Sequence, residues 1–232
     1  MKIIPYLQKN KNLPRRSIVD MINNGQILLN GQNINSYVQE LRDGDLIEIK
    51  KIGIRMKVKK EFGMKFFMVV FNKPKGYVVS KSDKFNKTIY DILPKEFRNY
   101  YYIGRLDKDS HGLLLLTNNS KLVDFYESPK NNIEKEYIVK IDKKLLSRDR
   151  QQIVQGIQNN GEFLRVLRIT DVKKGVSNVL RIFLNEGKKR HIRRIFESLG
   201  YKVLDLQRIK EGEFILGKLP LGKCIKHKMD NK

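Results

Sequence analysis

Four consecutive leucines, Leu113 to Leu116, close the stretch GRLDKDSHGLLLLTN that runs from Gly104 to Asn118. A run this short and this apolar reads as a fully buried strand, and a chain that carries it must supply a core around it. Asp107 stands just ahead of the run and two residues after Arg105. An acid held at the entry of a buried strand is rigidly aimed. Burial alone would raise its pKa, whereas a neighbouring guanidinium would keep it ionised and usable as a nucleophile or base. On spacing alone, an ion pair closing a turn is the stronger reading.

At 232 residues the chain has room for one substantial core and a small accessory domain. Forty-eight Lys and Arg against 25 Asp and Glu give a formal net charge of +23, which calls for a polyanion, most commonly nucleic acid. The abundance of Lys, Asn and Ile also matches the bias of AT-rich genomes, so clustered arginines carry more weight than the total. Cys224 is the only cysteine. It excludes an internal disulfide and a cysteine-rich zinc site and fits a reducing cytoplasm. His111, His191 and His227 are too scattered to pair as metal ligands, so no metal is expected. Pro5, Lys9, Asn10 and Lys11 interrupt any secretory run, and no long apolar segment follows. No membrane association is expected, and a monomer is the default state.

Residues 1–50 read as two short helices followed by small strands. Pro14-Arg15-Arg16-Ser17 opens a helix that buries Ile18, Val19, Met21 and Ile22 and ends at Gly25. Gln26 to Leu29 is a strand, Asn30-Gly31 a tight turn, and Leu46 to Ile49 a second strand after Asp43-Gly44-Asp45. Arg15 and Arg16 oppose the dipole of the helix they begin, which makes better sense beside an anion. They are candidate RNA contacts. Residues 51–65, rich in Lys and Arg, read as a basic linker.

Residues 66–232 form the main domain. Phe66 to Phe71 is a β run that enters Asn72-Lys73-Pro74-Lys75-Gly76-Tyr77, a turn on local grounds. After Asn118 a helix capped by Asn119 or Ser120 would turn Leu122, Val123, Phe125 and Tyr126 inward. Glu134 to Lys140 alternates as a strand, in which Tyr137 alone would be a half-buried aromatic. In Asn185 to Gly200 the residues Ile192, Ile195, Phe196 and Leu199 keep helical spacing. Lys188, Lys189, Arg190, Arg193 and Arg194 crowd the start of that helix with no acid between Gly187 and Phe196, so an anionic partner is expected there.

Taken together, GRLD followed by GLLLLTN, NKPKGY, KEYIV, the EGKKRHIRRI run and the Leu219-Pro220-Leu221-Gly222 turn resemble the signature of the RsuA-type pseudouridine synthases, the branch that includes RluB, RluE and RluF. The first fifty residues resemble the small RNA-binding domain named after ribosomal protein S-four, with Pro14 where Ser is usual and Ile4 where Asp often begins the first helix. The resemblance implies an α+β fold, with a mixed, largely antiparallel sheet and flanking helices, beside a small N-terminal α/β RNA-binding domain. It implies isomerisation of a uridine in ribosomal RNA, with a lean to the large subunit over the small. Asp107 would be the catalytic carboxylate, Arg193 its ionic partner and Tyr137 the ring against the target uracil, with Leu180 and Ile182 walling the pocket. Arg105 would fill the space left by a flipped base. Lys73, Lys188, Lys189, Arg190 and Arg194 would contact RNA, and His191 stands where the family commonly has Gln. The reaction exchanges no electrons and needs no cofactor. The opposing classes are a non-enzymatic RNA-binding assembly factor and a basic protein that gathers any polyanion.

Overall fold

In the computed structural model, which describes residues 1–59, 66–173 and 176–229, the chain divides into two units, residues 1–64 and 65–232. In the first, helices α1 (Ile3–Lys11) and α2 (Arg15–Asn23) bury Ile3, Ile4, Leu7, Ile18, Met21 and Ile22. They share one core with Ile27, Ile47 and Ile49, which come from strands β1 (Ile27–Leu29) and β3 (Leu46–Ile49). Strand β2 (Gln32–Asn33) turns back from β1 through Asn30 and Gly31. Both turn residues have positive φ, 52° and 81°, the requirement of a two-residue hairpin turn.

The basic linker expected from residue 51 onward is corrected over its first half. Residues 54–57 form strand β4 (Ile54–Lys57), which pairs antiparallel with β3 and completes a sheet in the order β2-β1-β3-β4. Ile54 and Met56 pack on the core while Arg55 and Lys57 face solvent, and Val58 is buried next to them. A cation at every second position disguises the alternation of a strand. Residues 60–65 of that expected linker lie outside the described residues.

The second unit continues with β5 (Phe66–Lys73), α3 (Ile89–Ile92), β6 (Tyr101–Ile103), β7 (His111–Thr117), α4 (Ser120–Glu127) and β8 (Lys135–Ile141). Then follow α5 (Ser147–Gln155), β9 (Ile157–Asn159), β10 (Glu162–Leu164), β11 (Arg168–Lys173), β12 (Val176–Leu184), α6 (His191–Ser198), β13 (Val203–Glu211), β14 (Phe214–Ile215) and β15 (Cys224–Met229). The large sheet runs β11-β12-β8-β13-β7-β5-β15, with β6 on β7 and β14 on β13. Among these pairings only β7 with β13 is parallel, so the sheet is mixed and largely antiparallel. The hairpin of β9 and β10 stands apart from it.

The leucine run lies in β7, between β5 and β13. Leu114 and Leu116 enter one core cluster with Val69, Phe71 and Val139, while Leu113 and Leu115 enter another with Met68, Val70 and Tyr126. Burial on both faces is thus literal, each leucine being worth on the order of 2 kcal/mol of transfer free energy. Asn119 caps α4 by accepting from the backbone N–H of Lys121 at 3.1 Å. Phe125 on that helix does not face inward: it is half exposed, and only Tyr126 of the four expected apolar residues is fully buried. The helix is eight residues long and packs along one narrow line, which leaves no second row for Phe125.

Candidate active site

Asp107 occupies the loop between β6 and β7, where the backbone is fixed from below. At Gly112, φ is +102° and a Cβ would fall 2.2 Å from the carbonyl oxygen of Arg208. Only glycine lets β7 approach β13 this closely. The ammonium of Lys73, at the end of β5, enters the same loop and donates to the carbonyls of Pro74 (3.1 Å), Asp107 (3.1 Å) and Ser110 (2.9 Å). Its three protons have three acceptors.

This corrects one expectation for Lys73. The residue exposes none of its surface and spends its ammonium on three backbone carbonyls, so it braces the loop that carries Asp107. Burial lowers its pKa to about 8, opposed by the charges of Asp107 and Asp109. Lys81, which donates to the carbonyls of Arg98 and Tyr100, is lowered to about 8 by the same cause. A folded-state pKa below the unfolded value means that the folded protein sheds its proton first, so stability rises with pH between about 8 and the usual ammonium value. From roughly pH 7 to 9, where ordinary lysines stay charged, the urea midpoint is expected to rise. In Lys73→Met the rise should shrink, and an undiminished rise would remove Lys73 as its source.

Arg193 projects from α6 into this loop and is nine-tenths buried. Its Nη2 lies 3.1 Å from the carboxylate of Asp109 and donates to the Asp109 carbonyl and the Ser110 hydroxyl, both at 3.2 Å. Its Nη1 donates to the Val203 carbonyl at 3.3 Å. Its Nε lies 4.0 Å from Oδ2 of Asp107 and is buried with no hydrogen-bond partner. Asp107 and Arg193 are therefore brought together as expected from the motifs, though the shorter carboxylate contact is to Asp109, which the motif reading did not single out.

Tyr137 on β8 is buried opposite Arg208, its cross-strand neighbour on β13. Burial pushes the phenol above its usual pKa, with Arg208 opposing and the charges of Glu211 and Asp107 adding to the rise. Arg208 is itself buried, donates through Nε to the Leu113 carbonyl at 2.7 Å and pairs with Glu211 at 3.2 Å. Lys135 approaches Glu211 at 3.8 Å. Neither Arg208 nor Glu211 was singled out from the sequence, although their i, i+3 spacing on a strand full of charge was the available signal. Leu180 and Ile182 expose none of their surface; instead of walling an open pocket they form the packed layer on which Tyr137 rests, Ile182 directly opposite it.

The basic run at the start of α6 is largely neutralised from elsewhere in the chain. Lys188 donates to the Phe163 carbonyl and lies 3.9 Å from Glu186; Arg190 lies 3.6 Å from Asp109. Arg194 is not an open RNA contact: it grips the β9–β10 hairpin through Glu162 and through Asn159, at 2.9 Å to the side chain and 2.8 Å to the carbonyl. Among the described residues Lys189 is the one cation of that run without such a partner. His191 is buried and binds the Arg165 carbonyl at 3.0 Å, turned into the hairpin, and desolvation lowers its pKa. Arg105 is exposed next to Asp107, and Arg15 and Arg16 are exposed on the first turn of α2.

No group of three or more His, Cys, Asp or Glu is placed to hold a metal among the described residues. No described helix is long and apolar enough to cross a membrane.

Residues 67–198 match the family model described as RNA pseudouridylate synthase. Similar proteins include the dual-specificity RNA pseudouridine synthase RluF of Escherichia coli K12, 30% identical over 96% of this chain and 73% of its own length. Ribosomal large subunit pseudouridine synthase B of Buchnera aphidicola is 33% identical over 88% of this chain and 80% of its own. A crystal structure of a pseudouridylate synthase shares the fold, with a TM-score of 0.65 and 24% identity over 99% of this chain and 96% of that one.

Proposed function

The chain belongs to the RNA pseudouridylate synthase family, in its RsuA, RluB and RluF branch, and we propose that it converts a specific uridine of large-subunit ribosomal RNA to pseudouridine with Asp107 as the catalytic carboxylate. The observation that carries this reading is the pairing of the Asp107 carboxylate with a buried, otherwise unpartnered Nε of Arg193. Such a carboxylate faces a buried cation on one side and keeps an open edge toward solvent on the other.

The bond from uracil N1 to the ribose anomeric carbon breaks, the base turns, and C5 bonds to the same carbon. The proton on C5 leaves and N1 gains one, so the product is an isomer. Asp107 acts at the sugar, by attack on the anomeric carbon or removal of the neighbouring proton. Tyr137 packs against the extruded ring, and Arg105 stacks in the vacated place. The N-terminal unit serves as the S-four-type RNA-binding domain, with Arg15 and Arg16 on phosphates, and Lys189 and Arg190 add phosphate contacts in the second unit.

Pseudouridine mapping of ribosomal RNA from cells with and without the gene tests this reading. Loss of one defined large-subunit modification is expected. An unchanged map would overturn the assignment, and a lost small-subunit site would move the substrate. Lys73 supplies a sharper check on its role. Lys73→Met should lower turnover by about tenfold or more by loosening the Asp107 loop, while RNA affinity stays within about twofold because no phosphate contact is lost. The opposite split would restore Lys73 as an RNA contact.

A further inference from the structure

Phe85 is 92% exposed, more than any other large apolar side chain among the described residues. A lone exposed aromatic needs no explanation when it sits on a loose loop, but this loop is tied down at its base and on both sides of Phe85. The bridge between Val78 and Thr88 closes its base. One oxygen of Asp83 accepts from the backbone N–H groups of Phe85 (2.9 Å) and Asn86 (2.8 Å) and from the Asn86 side chain (3.0 Å). The side-chain Oδ1 of Asn86 accepts from the ammonium of Lys108 at 2.7 Å. Lys108 is the residue after Asp107, and its own carbonyl accepts from Gly76 at 2.8 Å. The loop that displays Phe85 is thus linked to the catalytic loop through the side chains of Asn86 and Lys108.

The charges around the tip are unbalanced. Asp83 is occupied by backbone N–H groups, and Asp91 by the N–H and hydroxyl of Thr88. Lys84 and Lys87 flank Phe85, exposed and without a carboxylate partner among the described residues. A flat apolar face between two free cations, on ordered backbone, matches a nucleotide: a base to cover the ring and phosphates for the ammonium groups. An apolar protein surface would meet the ring but would have to bury both lysines unpaired.

Resting on the reading of Asp107 as the reacting group on an RNA, we propose that Phe85 is a stacking finger that receives an unpaired base of the substrate beside the target uridine, while Lys84 and Lys87 hold the adjoining phosphates. Preorganisation by Asp83 and Lys108 means that little ordering is left to do on binding. It also ties the finger to Lys108, the residue after Asp107, so the finger contributes to the choice of uridine.

The test uses the full-length protein and a large-subunit ribosomal RNA transcript carrying tritium at uracil C5, whose release reports product. Phe85→Ala should lower kcat/KM by about tenfold or more, whereas Phe85→Trp should retain it and Phe85→Leu should not. The slope of log affinity against log salt should stay unchanged in Phe85→Ala and fall by about one in Lys84→Ala. The position of Phe85 in solvent keeps folding out of the comparison, and a matching urea midpoint verifies it. Equal activity of wild type, Phe85→Ala and Phe85→Leu overturns the finger while leaving the enzyme assignment intact; no tritium release from the wild type overturns the assignment on which it rests. A defect of Phe85→Ala seen only on protein-containing ribosomal particles and not on naked RNA would make the partner a protein and also overturn it.

Discussion

Replacing Asp107 by asparagine is expected to lower tritium release from C5-labelled ribosomal RNA by roughly 10³-fold or more, with RNA affinity within about twofold of the wild type. The substitution keeps the shape of the side chain and removes only its charge and basicity. The loop should survive it, because the Asp107 contact to Arg193 is long, 4.0 Å, while Lys73 holds the Asp107 and Ser110 carbonyls and Arg193 is anchored on Asp109, Ser110 and Val203. Asp109→Asn is the internal comparison. It removes the closer carboxylate of Arg193 but leaves Asp107 in place, so its defect should be far smaller. An Asp107→Asn enzyme with wild-type turnover, or an Asp109 variant that is the more damaged of the two, would sink the proposed chemistry.

The second large effect is expected at Arg208. Arg208→Met should destabilise the fold by about 3–5 kcal/mol, because Glu211 would then be a fully buried carboxylate with only Lys135 at 3.8 Å. It would also leave the Leu113 carbonyl without its donor and remove the cation opposite Tyr137. The double variant Arg208→Met/Glu211→Leu removes both charges and should regain most of that loss. Urea unfolding of the three proteins decides the matter, and a single variant as stable as the wild type would show that the pair carries no structural charge balance. The two predictions separate cleanly: the first concerns rate without stability, the second stability before rate.

How far the sequence revealed this arrangement depends on where each partner lies. The leucine strand was legible because burial on both faces leaves an unbroken apolar run, and α6 because Ile192, Ile195 and Phe196 keep a helical period. Strand β4 was not, since its outward face is Arg55 and Lys57 inside a basic stretch. Asp107, Tyr137 and Arg193 were visible only through the motifs that contain them; locally each has an ordinary structural explanation. The basic start of α6 looked unpaired because its acids, Asp109 and Glu162, arrive from other elements. Lys73 misled for the same reason, as its three carbonyl acceptors are backbone groups that no side-chain pattern announces.

The two ends of the large sheet give part of the charge surplus a different task. β11 and β15 each pair on one side only among the described residues, so each offers a row of open backbone groups to any passing strand. β15 presents Lys226 and Lys228 there, and β11 presents Arg168 and Lys173, all exposed. Docking two such edges would force like charges together. Some of the net +23 thus stands where it opposes edge-to-edge pairing of two such sheets.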